Sequence, residues 1–223
     1  MKNKGDQPVI KEKLDQIRKP EKMTAGKDRA VILLVFAAGI ALGIISKFLD
    51  NLALDSTVWW HRVIEFLNLG IFFSEIAVWL LAALLIAVCS ASAIRAAVNV
   101  FVFFAGMCLA YHIYTVFFSG FNPLSYMMIW YGITLLSPLL AMLCWYAKGA
   151  GKIAVLLDAG ILSVFFLACF SIGFFYIDLK GVLYLLVFAC AVFILYTNPK
   201  QILQSILIGF VLSFLLSPIW PFK

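Results

Sequence analysis

Long apolar runs separated by short polar breaks occupy most of this chain. Seven stand out, at residues 30–49, 69–90, 94–118, 124–147, 153–177, 181–197 and 201–219. A helix needs about 20 apolar residues to cross roughly 30 Å of hydrocarbon, and each run holds at most one Asp, Glu, Lys or Arg. The pattern predicts an all-α integral membrane protein, a bundle of about seven transmembrane helices. Pro123 and Pro199 stand at the first turns of the fourth and seventh runs, where a missing N–H costs nothing. Asn198 is a suitable N-cap for the seventh, with Gln201 placed to complete a capping-box-like start.

Between the first two runs lies DSTVWWHRVIEFLN, residues 55–68. On a helix, Trp59, Val63, Phe66 and Leu67 share one face, and His61, Arg62, Glu65 and Asn68 the other; Asp55, Ser56 or Thr57 can cap its start. Paired tryptophans favour the headgroup layer, so the segment reads as an amphipathic helix lying on the outer membrane surface. A helical extension of the second span is the alternative. The polar stretch 1–29 forms a basic cytoplasmic tail, and residues 30–223 the membrane domain. Within the tail Ile10, Leu14 and Ile17 recur at helical spacing, which fits either a short helix on anionic lipid or a solvated segment ended by Pro20.

Composition and charge sharpen this picture. Hydrophobic residues make up 65% of the chain and charged ones 13%, more apolar surface than a soluble core of this size can hide. Of the 17 Lys and Arg, nine fall in the first 29 positions. Placing that tail inside also puts Arg95, Lys148, Lys152 and Lys200 inside, leaving Lys47, Arg62, Lys180 and Lys223 outside. That asymmetry predicts a cytoplasmic N-terminus and an external C-terminus. It excludes a nucleic-acid surface, because no basic patch is interleaved with aromatics; the partner implied is the lipid bilayer. All five cysteines fall inside apolar runs and read as small packing residues.

Ionisable groups within spans are expensive and demand a reason. Lys47 and Asp50 close the first run three residues apart, spaced to pair on one helix face. Glu75 lies near the outer end of the second span and His112, between Tyr111 and Tyr114, in the outer part of the third. These four share one depth and are the candidate solute-binding residues; the competing reading makes Lys47 and Glu75 a fastener between two helices. Near the cytoplasmic side, Arg95 and Asp158 are a candidate intramembrane ion pair, with a proton or cation relay through Asp158 as the alternative. Pro138 interrupts the fourth span, where Thr134 and Ser137 can satisfy the freed carbonyls. Gly39 and Gly43, and likewise Ala37 and Ala41, allow close helix contact. No nucleophile elbow, zinc motif or phosphate loop occurs, so the chain implies no catalytic residues, no cofactor and no metal.

The runs GIALGIISKFLDN (39–51) and NVFVFFAGMCLAYHIYTV (99–116) resemble an uncharacterised family of small bacterial multi-pass membrane proteins. That resemblance implies a bacterial plasma membrane and carries no activity. The alanine spacing in AAGIA (37–41) is similar to the docking helix of the substrate-binding subunits of energy-coupling-factor vitamin transporters. Those have six spans where seven are expected here. The leading expectation is a protein that binds or transports a small polar solute through an outward-facing pocket. The contrasting one is a non-catalytic accessory or regulatory subunit of a larger membrane complex, with a membrane-protein partner. An enzyme ranks third.

Overall fold

The computed structural model describes residues 15–21, 24–55, 57–173 and 176–221. Its helices are α1 (Ala25–Asn51), α2 (Trp59–Phe66), α3 (Leu69–Ser74), α4 (Ile76–Cys89), α5 (Ala93–Tyr114, closed by a π turn), α6 (Leu124–Ala147), α7 (Lys152–Cys169), α8 (Val182–Leu195) and α9 (Pro199–Leu216). One antiparallel hairpin, β1 (Phe170–Ile172) with β2 (Ile177–Leu179), joins α7 to α8, with Ser171 opposite Asp178. Ile10, Leu14, Ser56 and Lys223 lie outside the described residues.

Five helices are long and apolar enough to cross a membrane, as in a multi-pass membrane protein: α1, α5 with its π turn, α6, α7 and α9. The apolar α4 and α8 have 14 residues each, about 21 Å at 1.5 Å per residue. Large apolar side chains cover the outside of the bundle, among them Leu34, Leu135 and Phe193. Three boundaries depart from expectation. The first helix begins at Ala25, inside the predicted tail. The second run is split at Glu75, and the fifth stops as helix at Cys169, where the chain becomes extended and turns back through the hairpin.

Glycine sets the closest contacts. A Cβ on Gly43 would lie 2.7 Å from the Met107 carbonyl oxygen, and one on Gly39 would meet that of Phe103, so α1 rests directly on the backbone of α5. Gly209 lets α9 approach α7 in the same way, 2.8 Å from the Ala159 carbonyl oxygen. Ala37 and Ala41 stay exposed on the free face of α1. In α6, Pro138 cannot donate to the Thr134 carbonyl; the Ser137 hydroxyl donates to it instead, at 2.8 Å.

Side-chain contacts gather the helix ends into two sets. At the tail end Arg18 reaches the last turns of α4 and α6, and Lys148 that of α8. Asp28 and Arg95 join the first turns of α1 and α5, and Gln201 ties α9 to Gly149. At the far end Asn51 bonds Ser119, Glu75 bonds Lys180, and the Ser217 hydroxyl donates to the Ile172 carbonyl.

Candidate functional site

The far end is built around an interruption. Helix α2 stops where the Leu67 and Asn68 N–H groups fold back onto Val63 and Glu65. Asn68 then takes a left-handed conformation (φ 52°), which its short polar side chain tolerates. Seven residues later Glu75 is extended (φ −87°, ψ 160°), so α3 ends and α4 starts afresh. The break frees the Phe73 carbonyl, which needs a new partner. The Trp79 indole N–H donates to it at 2.9 Å and the Ser46 hydroxyl at 3.3 Å. Ser74 donates to the Gly70 carbonyl at 2.9 Å, a back-bond of the kind that bends helices.

This geometry leaves the Glu75 side chain free of capping duty. Its Oε2 accepts from Lys180 Nζ at 2.9 Å, and both side chains keep partial exposure, 34% and 19%. Two cavities share Ser74 and Glu75 as a wall. One, of about 290 Å³, also takes in Tyr126, Trp130 and Lys180. The other, of about 380 Å³, is lined by Asp50 and Glu65 as well.

Two of the four sequence candidates, Asp50 and Glu75, therefore meet at one cavity. Lys47 bonds Asp50 at 2.6 Å but lies buried beneath the rings of Tyr111 and Phe121, and Glu75 takes Lys180 instead of Lys47. His112 is placed elsewhere. Its Nδ1 is 2.7 Å from the Tyr131 hydroxyl, in a cavity of about 410 Å³ between α5 and α6 that includes Thr134. Sequence reasoning counted Lys180 only as an outer charge and passed over Tyr126 and Trp130. Its reach to Glu75, 105 residues away, leaves no mark in local pattern.

The expected Arg95–Asp158 pair is not formed among the described residues. Arg95 pairs with Asp28, because α5 lies against α1 and both charges sit in first turns. Asp158 lies fully buried where α7 meets α9, and its Oδ2 accepts from Gln201 Nε2 at 3.0 Å. Asn99, one turn after Arg95 on α5, donates to Ser90 Oγ at 3.0 Å. No group of three His, Cys, Asp or Glu among the described residues is arranged to hold a metal ion.

The tail end has a different chemistry. Arg18 Nη1 donates to the Trp145 carbonyl and Nη2 to that of Val88, both at 2.9 Å. Its guanidinium lies 4.4 Å from the centre of the Trp145 ring. Ala150 N–H donates to Ile17 and Glu21 N–H to Ala91, so Ile17, Arg18 and Glu21 are tied to the bundle. Lys148 Nζ donates to the Ile194 and Tyr196 carbonyls at 2.7 and 2.6 Å. Cations thus meet the negative ends of three helix dipoles.

No family model matches the chain, and no curated protein or solved structure matches it either.

Proposed function

We propose that this protein binds or passes a small polar solute at the cleft around Glu75. In this reading it is a bacterial plasma-membrane protein of seven crossings, α3 and α4 together making the second and α8 the sixth. The tail lies in the cytoplasm, α2 rests on the outer surface, and the cleft opens outward. One observation carries it: an apolar helix is broken at a carboxylate that pairs with Lys180 and walls two cavities. Interrupted helices with polar groups at the break are the usual architecture of solute sites in membranes, and charge within a span marks a functional site.

The test is thermal unfolding of the detergent-purified protein against a panel of small polar metabolites. A ligand at a hundred times its dissociation constant adds about 2.7 kcal/mol. Glu75→Gln is expected to fold, since a partly exposed pair contributes about 1 kcal/mol or less, and to lose that shift. The second reading, a non-catalytic accessory or regulatory subunit, draws on the exposed Ala37 and Ala41, which leave one face of α1 open to another helix. A panel with no shift moves the assignment there.

A further inference from the structure

The two cavities that share Glu75 differ in charge. On one side Asp50, Glu65 and Glu75 line the mouth with no basic residue among them; Asp50 is paired with Lys47 beneath it, so the excess negative charge of the mouth rests on Glu65. On the other, Lys180 faces Glu75, and the remaining wall is largely apolar and aromatic: Ile76, Ile129, Trp130 and Tyr126. Helix α4 starts at this wall, and its positive dipole end has the same sign as Lys180. Crossing from one cavity to the other past Glu75, the field therefore runs from negative to positive, over an apolar floor.

Resting on the solute-binding reading above, we propose that the solute is a small zwitterion with an apolar body, of the α-amino-acid class. Its ammonium sits on Glu75 toward the acidic mouth, its carboxylate on Lys180, and its side chain against Trp130 and Ile129. Charge balance decides the class. A solute with a single charge takes one partner of the Glu75–Lys180 pair and leaves the other without its counter-ion, so one charge contact is gained and one is lost. A zwitterion replaces both contacts at once. A neutral sugar leaves the pair closed and meets few free polar groups on the apolar wall. The smaller cavity, about 290 Å³, stands at the foot of the range of roughly 300–1,000 Å³ typical of small-molecule sites, room enough for a single amino acid.

The experiment compares L-leucine with its two half-molecules, 3-methylbutylamine and 4-methylpentanoate, and with glucose, by isothermal titration of the full chain in detergent. L-leucine and L-phenylalanine are expected to bind at least tenfold more tightly than either half-molecule. Glu75→Gln is expected to remove the preference over the acid, and Lys180→Gln the preference over the amine. Glucose or a half-molecule binding as tightly as leucine, in a manner lost in Glu75→Gln, would overturn the zwitterion and leave the solute site standing. Heat from none of the probes, with no shift from the wider metabolite panel, would overturn both.

Discussion

The two ends of the bundle spend their charged residues in opposite ways. At the tail end, Arg18, Lys148, Asp28 and Arg95 each bind a helix terminus or one another, and α4, α6 and α8 run unbroken to their last turns. At the far end a helix is cut, Asn68 adopts a left-handed backbone, α7 gives way to a hairpin, and a charge pair stays partly open to two cavities. Cations at helix C-termini satisfy carbonyls and oppose the dipole, so the first arrangement holds helices at fixed spacing. The second creates new unsatisfied groups and then satisfies them one at a time. One end acts as a clamp, and the other keeps two cavities open beside its helix break.

The sharpest way to break this contrast is to open the clamp. Arg18→Ala deletes two hydrogen bonds from a charged donor and a contact with the Trp145 ring. Bonds of that kind contribute about 1.5–3 kcal/mol each, so a loss of about 3–6 kcal/mol and a visibly lower unfolding midpoint are expected. Arg18→Lys should recover only part, since an ammonium lacks the planar fork that spans Val88 and Trp145. An unchanged midpoint in Arg18→Ala would show that this side chain holds nothing.

A smaller effect probes the far end. Trp79→Phe keeps an aromatic ring near Phe103 and Trp130 but removes the indole donor to the Phe73 carbonyl. Leaving a buried acceptor short of a partner costs about 1–3 kcal/mol, and Ser46→Ala on the same background should deepen the loss. Amide exchange read by mass spectrometry is expected to speed up over Phe72–Ala77 while the tail-end turns keep their protection. Acceleration spread evenly over the molecule would contradict the separation of the two ends.

Local pattern made some of this legible and left the rest hidden, for a physical reason in each case. The fourth run, 124–147, coincides with α6, and Asn198 does cap α9, its Oδ1 accepting from Gln201 N–H at 2.9 Å. Both depend on near neighbours in the chain. So does the Ser137 bond that repairs Pro138, and so does the Lys47–Asp50 pair. Glu75 was visible as an isolated charge, but LGIFFSEIAVW has no Gly or Pro at the break itself. The carbonyl that the break frees is taken up by Trp79 and Ser46, an arrangement made by packing. The partners of Arg95 and Asp158 depend on which helices lie side by side, and periodicity within a run is silent on that. Gln201 illustrates the limit: expected to serve the cap with its side chain, it reaches across to Asp158 and Gly149.

The smallest expected effect lies in the segment leading into α2. Asp55 Oδ1 accepts from the Thr57 backbone N–H at 2.9 Å and from its hydroxyl at 2.7 Å. These bonds, the backbone one foremost, hold the Asp55 carboxyl below the ordinary aspartate range. The sign follows from linkage. A depressed carboxyl adds stability that is complete above the unfolded value of about 3.9 and fades as pH falls through the lower folded value. Asp55 is exposed to solvent, so the contribution is slight and global unfolding is the wrong readout. Carboxyl-carbon NMR of the protein in micelles should find Asp55 titrating below an unperturbed aspartate. Thr57→Val, which keeps the backbone bond and removes the hydroxyl, should move it part of the way back. If Asp55 titrates normally in wild type, or is unmoved in Thr57→Val, then the turn is not held by this carboxylate and the far end has lost one of its local fastenings.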